Sequence, residues 1–163
     1  MRELLIITTG GTIDKVYYDA LSDYRIGEPV ITELLRAFDV DFRYEVVPLL
    51  RKDSLEMTDD DRRLIHDAIA SRPRQHVLIT HGTDTMVDTA RTLMRLHDRT
   101  IVLTGALNPA RFQGSDAVFN IGVALGALQA LPHGVWLAMN GRIWHPDRVR
   151  KNRKANRFEA MES

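Results

Sequence analysis

Short apolar runs bounded by turn residues recur along the chain and predict the strands of a buried sheet. Runs of four to eight apolar or β-branched residues are typical of strands that are covered on both faces. Five such runs are present, at Leu4–Thr8, Tyr44–Leu50, His76–Thr80, Thr100–Thr104 and Val135–Met139. Each run is too short for a helix of ordinary length, so we predict five strands.

Apolar residues at helical spacing lie between these runs. The predicted helices are Ile31–Phe38, Asp59–Ser71, Thr85–Leu96 and Ser115–Leu131. Each is long enough to cross over a sheet, and strands alternate with helices along the chain. This alternation predicts an α/β fold: a doubly wound, mostly parallel sheet with helices on both faces, with ligands bound beyond the carboxyl ends of the strands. The length fits one domain, and we assign residues 1–163 to it.

Two stretches lack this periodicity, and we interpret both as irregular and mobile. Residues 13–30 form a long connection of charged and aromatic residues, and residues 146–163 form a basic carboxyl-terminal segment. Within the predicted helices, Thr58 is expected to cap the helix that follows it, with Asp61 near the capping-box position. Gly122 and Gly126 lie one helical turn apart. We interpret them as a close contact with the sheet, in preference to a partner surface.

The composition narrows the function without revealing a partner. The 22 Lys and Arg residues balance the 22 Asp and Glu residues, so no overall charge points to nucleic acid or an anionic membrane. The absence of cysteine fits a reducing compartment, and we expect a cytoplasmic protein. No apolar stretch is long enough to span a bilayer, and no histidine pair has ligand spacing. We therefore expect no membrane insertion, no metal and no cofactor.

Two hydroxyl-bearing segments directly follow predicted strands. In TTGGTID (8–14), two glycines allow a sharp turn and a close backbone approach to a ligand, and Thr12 comes next. In THGTDTM (80–86), Thr83 and Asp84 stand at the start of a helix. A tight turn explains the first segment equally well, and helix capping explains the second. Capping alone does not explain why two threonine-bearing loops follow two strands in the same way.

These segments, with LTGALNPARFQGSDAVFNIGVAL (103–125), resemble the bacterial-type L-asparaginase family. The resemblance runs over nearly the whole chain and implies the fold of that family's amino-terminal domain. The better-known members carry a second, smaller domain, so the chain resembles a short, single-domain form. The same resemblance implies a homo-oligomer, because larger members complete their site with residues of a second subunit.

The resemblance also implies roles for individual residues. Thr12 matches the threonine that attacks the amide carbon, and Tyr24 matches a lid-loop tyrosine that activates it, with Tyr17 and Tyr18 as rival candidates. Thr83 matches the threonine beside the scissile amide, and Lys151 the lysine that completes a Thr, Asp, Lys group. The catalytic residues implied are Thr12, Tyr24, Thr83, Asp84 and Lys151. The substrate-binding residues implied are Gly11, Ser54 for the α-carboxylate, Thr83, Asp84 for the α-ammonium, and Ala106.

The function implied is hydrolysis of L-asparagine to L-aspartate and ammonia. Threonine hydroxyls are poor nucleophiles without a base, and a desolvated lysine or a tyrosine can supply one. Two alternatives stay open: a glutaminase or amidotransferase-type subunit that supplies ammonia, and a non-catalytic sensor of asparagine or aspartate. The segment 148–157 carries six basic residues in ten. Because no aromatic residues are interleaved with them, we favour a solvated edge that delivers Lys151 to the site over a docking tail for RNA or an acidic partner, and we do not expect a nucleic-acid partner.

Overall fold

The structure is a computed structural model that describes residues 1–162; Ser163, the last residue of the predicted domain and of its basic segment, lies outside the described residues. The strands are β1 (Glu3–Gly10), β2 (Lys15–Tyr18), β3 (Asp23–Ile26), β4 (Arg43–Lys52), β5 (His76–Thr80), β6 (Thr100–Thr104), β7 (Gly134–Met139), β8 (Arg142–Trp144), β9 (Val149–Asn152) and β10 (Arg157–Ala160). The helices are α1 (Ile31–Ala37), α2 (Asp59–Ala70), α3 (Met86–Leu93) and α4 (Ala117–Ala130). All five predicted strands and all four predicted helices are present.

A six-stranded sheet in the order β4-β1-β5-β6-β7-β8 forms the centre of the protein. The first five strands in this order run parallel, and β8 pairs antiparallel with β7. Strand β4 lies on one side of β1, and β5, β6 and β7 follow on the other side. The strand order therefore reverses at β1, which lies inside the sheet. This confirms the prediction of a doubly wound, mostly parallel sheet.

Alternate residues of β1 face two separate cores. Leu5 and Ile7 pack on the face covered by α2 and α3, whereas Leu4 and Ile6 pack on the face covered by α1 and α4. Successive side chains of a strand point to opposite faces, so a continuous apolar run fits a strand buried on both sides. Helices therefore lie on both faces, as predicted.

Helix α2 begins as its sequence predicts. The Thr58 hydroxyl accepts a hydrogen bond from the Asp61 backbone N–H, and the Asp61 carboxylate accepts one from the Thr58 N–H. Two of the free N–H groups at the start of the helix are satisfied in this way. The predicted capping box is confirmed.

The two stretches for which we predicted irregular structure contain antiparallel hairpins. Residues 13–30 contain β2 and β3, and residues 146–162 contain β9 and β10. The expectation of irregular structure is wrong for residues 15–26 and 149–160, because each of these spans contains eight strand residues. No residue of β2 or β3 is fully buried, and β9 and β10 each bury one apolar residue, so neither hairpin shows the apolar pattern of a core strand.

The interpretation of Gly122 and Gly126 is also wrong. Both glycines lie on the exposed side of α4, and a Cβ at either position would meet nothing within 4 Å. Gly122 lines an apolar groove of about 260 Å³ between α1 and α4. The sheet contact is made instead by other residues of α4, among them Ile121 and Ala124. None of the helices in residues 1–162 has the length and apolar character needed to cross a membrane.

Candidate active site

Four loops at the carboxyl ends of the parallel strands meet at backbone contacts made by glycines. A Cβ on Gly11, after β1, would collide with the backbone of Gly82, which follows β5. A Cβ on Gly82 would lie 2.6 Å from the Cβ of Ser54, after β4. Gly105, after β6, packs in the same way against the carbonyl oxygen of His81. Because these glycines lack side chains, the loops approach far more closely than other residues allow.

Thr12 begins a 3₁₀ turn (Thr12–Asp14) directly after this contact point. Gly11 has φ 86° and ψ −178°, a conformation that is essentially restricted to glycine. The Gly11 N–H donates to the carbonyl oxygen of Lys52 at 2.9 Å, which ties the turn to the end of β4. Gly11 contacts Gly82, and Thr12 and Thr83 are the next residues of the two loops. The loops that carry the two predicted threonines therefore meet at the glycines that precede them.

Lys151 reaches Thr83 from the β9–β10 hairpin. Its Nζ donates a hydrogen bond to Thr83 Oγ1 at 2.6 Å and lies 3.7 Å from Asp84 Oδ1. The Lys151 side chain is only 4% exposed, whereas that of Asp84 is 32% exposed. Burial lowers the pKa of Lys151 from its ordinary value, and the Asp84 carboxylate opposes this shift. A threonine hydroxyl is thus paired with an amine that loses its proton more easily than an exposed lysine.

Ser54 connects the loop after β4 to the Thr83–Asp84 loop. Its Oγ accepts a hydrogen bond from the Asp84 N–H at 3.2 Å, and its carbonyl oxygen accepts one from Thr85 Oγ1 at 2.6 Å. Asp53, the preceding residue, accepts from the Leu55 N–H and forms an ion pair with Lys15 at 3.3 Å. Ser54 is buried, so its hydroxyl is held in one place beside Asp84.

His81 holds the backbone carbonyl group of Gly82, the residue before Thr83. The ring is fully buried, and burial lowers its pKa to about 4, so the imidazole is neutral near pH 7. Nδ1 lies 2.7 Å from the Gly82 carbonyl oxygen and Nε2 lies 2.8 Å from Thr89 Oγ1. A carbonyl oxygen only accepts, so Nδ1 carries the proton and Nε2 accepts from the Thr89 hydroxyl. The ring therefore ties the Gly82 carbonyl group to Thr89 of α3.

Two residues that we did not single out from the sequence hold the loop after β6. The Asp116 carboxylate accepts from the N–H groups of Leu107 and Asn108, and Asn120 Nδ2 donates to Gly105 O at 2.9 Å. Asn120 also donates to Asp116 at 2.8 Å. Their spacing of four residues on one helix was the available signal. Ala106 lies in this loop, but its side chain packs into the core beneath α1 and α4. The whole residue, backbone included, is only 1% exposed.

The ring contacts of Tyr24 are with other aromatic residues. Tyr24 is on β3, with its side chain 47% exposed and its ring packed against those of Tyr17 and Phe112, at centroid distances of 5.1 and 5.6 Å. Among residues 1–162, no hydrogen bond joins the Tyr24 hydroxyl to Thr12. Tyr17 and Tyr18, the rival candidates, lie on the same hairpin and are equally exposed.

The group has the composition of a site for nucleophilic acyl transfer. It combines two hydroxyl groups, a buried amine and a carboxylate at loops whose backbone N–H groups are close together. In the part of the chain that the structure describes, no three His, Cys, Asp or Glu side chains are grouped so as to hold a metal ion.

Several curated proteins are similar to the chain in sequence. An L-asparaginase of Bacillus licheniformis is 28% identical over 95% of this chain and 51% of its own length. A glutaminase-asparaginase of Acinetobacter glutaminasificans is 30% identical over 88% of this chain and 47% of its own length. The chain thus spans about half the length of the curated relatives it matches.

Solved structures share the fold over almost the whole chain. The thermostable L-asparaginase from Thermococcus kodakarensis superposes with a TM-score of 0.85 at 26% identity, covering 99% of this chain and 52% of that one. The probable cytoplasmic L-asparaginase from Campylobacter jejuni gives a TM-score of 0.74 at 28% identity, covering 98% and 52%. The family profile described as Asparaginase, N-terminal, matches residues 3–163. The chain therefore belongs to the asparaginase family, and its residues correspond to the amino-terminal part of that family's members.

Proposed function

We propose that this chain carries the catalytic group of an amidohydrolase that converts L-asparagine and water to L-aspartate and ammonia. The observation that supports this most directly is the 2.6 Å hydrogen bond between Lys151 Nζ and Thr83 Oγ1, with Asp84 beside it. An activated hydroxyl of this kind serves nucleophilic attack on a carbonyl carbon. The names of the relatives, L-asparaginase and glutaminase-asparaginase, agree with an amide as substrate.

Two side chains are placed to orient the amino acid. Asp84 is partly exposed, and its carboxylate can receive the α-ammonium group of the substrate. The oxygen of the Ser54 hydroxyl accepts from the Asp84 N–H, so its own proton remains free to donate to the α-carboxylate. We propose that the backbone of Gly11 completes this pocket. Substrate held at both α-groups would present its side-chain amide to the two threonines.

The proposed reaction proceeds through a threonine ester. A threonine oxygen bonds to the amide carbon while its proton passes to the Lys151 amine, and the backbone N–H groups of Thr12 and Thr83 hold the oxyanion. The carbon–nitrogen bond then breaks as the lysine ammonium returns the proton to the departing ammonia. Water hydrolyses the ester, which releases L-aspartate and restores the threonine hydroxyl.

The resemblance assigns the attack to Thr12, whereas Lys151 donates its hydrogen bond to Thr83. Rapid quenching during turnover, followed by peptide mass spectrometry, locates the ester on one of the two peptides. We propose that Tyr24 assists only if the β2–β3 hairpin moves its hydroxyl toward Thr12. Tyr24→Phe tests this, because it leaves the ring contacts with Tyr17 and Phe112 intact.

Ammonia release from L-asparagine, L-glutamine and D-asparagine tests the proposal. We expect Lys151→Met and Thr83→Val to lose about 10²–10⁴-fold in rate, the usual contribution of a positioned acid–base group. Lys154→Met is the matched control, since Lys154 is an exposed lysine on the same hairpin. Equal activity in the Lys151 and Lys154 variants would refute the mechanism.

The same assay separates the alternatives. Faster ammonia release from L-glutamine would favour the ammonia-supplying enzyme, which the glutaminase-asparaginase relative makes the stronger alternative. Thermal stabilisation by L-asparagine without ammonia release would favour the sensor. We also propose a cytoplasmic location, by analogy with the Campylobacter relative, and a homo-oligomeric assembly, which sedimentation of the purified protein would measure.

A further inference from the structure

The Asp84 carboxylate, which pairs with Lys151, has a second cation beside it. Arg153 follows β9 directly, and its Nε lies 3.9 Å from Asp84 Oδ1. The same oxygen lies 3.7 Å from Lys151 Nζ. Neither distance is short enough for a strong hydrogen bond, so one carboxylate oxygen is shared electrostatically between two cations.

The two cations differ in burial. Lys151 is almost fully enclosed, whereas the Arg153 side chain is 59% exposed and keeps its contact with water. An arginine stays charged at every pH at which proteins are folded. Arg153 therefore places a permanent positive charge on the exposed side of Asp84, and of the two cations only Lys151 can change its charge.

The charges around Lys151 oppose one another. Asp84, in the loop after β5, and Asp116, before α4, favour the charged ammonium, while Arg153 disfavours it. From β10, the ring of Phe158 lies 5.5 Å from Lys151 Nζ and also favours the cation. Of the three charged residues named here, Arg153 is the one that opposes the two carboxylates.

We propose that Arg153 is a positioning residue for Lys151: by sharing Asp84 with the lysine, it keeps the amine able to accept the threonine proton. This inference rests on the proposed function. It assigns a role to a residue that neither the motifs nor the resemblance indicated. The only signal in the sequence is its place two residues after Lys151 in a basic segment.

The geometry sets a lower limit on the expected effect. Because both nitrogens lie within 4 Å of one oxygen, they are separated by less than about 8 Å. At about 8 Å in a water-like medium, a unit charge shifts the titration of its neighbour by roughly 0.4 pH unit at low salt, and a shorter separation gives a larger shift. Physiological salt reduces the shift to about a few tenths of a pH unit, because the separation approaches the screening length.

Two measurements on the full chain test the inference. The first is the pH dependence of kcat for amide hydrolysis at low salt, and the second is the titration of Lys151 followed by NMR of ¹³C-labelled lysine. The chain has only four lysines, at 15, 52, 151 and 154. The resonance missing from Lys151→Met identifies the one required.

For Arg153→Gln at low salt we expect the rise of kcat with pH, and the lysine titration, to move upward by about 0.4 pH unit or more. Arg153→Lys should restore both, since it restores the charge. Arg157→Gln is the matched control, because Arg157 lies on the same hairpin and pairs with Glu159 at 2.8 Å.

Unchanged titration in Arg153→Gln, or an equal shift in Arg157→Gln, overturns the inference, even if kcat falls. Failure of the proposed function gives a different result: the unaltered protein would release no ammonia. The NMR titration needs no turnover, so it tests the effect of Arg153 on the lysine in either case.

Discussion

Replacement of Gly11 by alanine should separate the two threonine loops. The added Cβ would lie 2.5 Å from the Gly82 Cα and still closer to the Gly82 backbone nitrogen. Backbone atoms cannot rotate away as a flexible side chain can, so one loop must shift. We expect the shift to act on Thr12 and Thr83, which directly follow the two glycines.

Two costs add at this position. Alanine at φ 86° and ψ −178° occupies a sparsely populated region, at a cost of about 1–3 kcal/mol. Overlap in a well-packed region costs about 1–3 kcal/mol more. The free energy of unfolding should therefore fall by about 2–6 kcal/mol. For a chain of this length, each kcal/mol lowers the Tm by about 2–4 °C.

Gly114→Ala separates the two costs. Gly114 also has positive φ, at 75°, but a Cβ there would meet nothing within 4 Å. We expect this control to lose only about 1–2 kcal/mol, from the left-handed backbone alone. Urea unfolding monitored by circular dichroism gives both values, and ammonia release gives the activity. A displacement of about 1 Å can cost 10²-fold in rate. If Gly11→Ala matches Gly114→Ala in stability and retains full activity, the glycine contact does not position the site.

Two further predictions concern stability. Burial raises the pKa of Asp14 from 3.8 to about 6, and a hydrogen bond from the Val30 N–H partly opposes this shift. The stability that the protonated acid provides is therefore complete below about pH 4 and is lost as the pH rises through 6. The unfolding free energy of Asp14→Asn minus that of the unaltered protein should therefore rise by about 3 kcal/mol between pH 3.5 and 7.5, and a difference that is flat with pH would contradict this. Gly122→Ala should add about 0.5–1 kcal/mol, because alanine favours the helix and the site is open. A lower Tm for this variant would instead indicate that a second copy covers this face of α4.

The central sheet and its helices could be predicted because their residues follow a simple period. Apolar runs on β1 and its neighbours are continuous, since both faces of the sheet are covered. The Thr58 cap depends only on residues three apart in sequence, so it too was predictable. The exposed face of α4 could not be predicted in this way. A helix that is apolar all round is expected to be buried, and the sequence does not tell which side meets the sheet.

The β9–β10 hairpin was missed for a physical reason. Val149 and Lys151 alternate with exposed residues as strand residues should, and the side chains of both are buried. A buried lysine counts as polar in any hydrophobic pattern, so the alternation cannot be seen. Lys151 therefore gives the hairpin its proposed role and also makes β9 difficult to predict from the sequence.

The candidate site depends on tertiary contacts in a way that the strands do not. The motifs indicate that glycines and threonines follow β1 and β5, but not that Gly11 meets Gly82 while Gly82 meets Ser54. Those contacts follow from the pairing of β4, β1 and β5 in adjacent positions, which brings their carboxyl ends together. Lys151 comes from a hairpin outside this sheet, so its distance to Thr83 is set by the packing of the hairpin. The backbone of the loops and the position of the amine are therefore fixed by separate parts of the fold. Gly11→Ala should disturb the loops and lower the Tm, whereas Arg153→Gln should alter the titration of Lys151 without lowering the Tm.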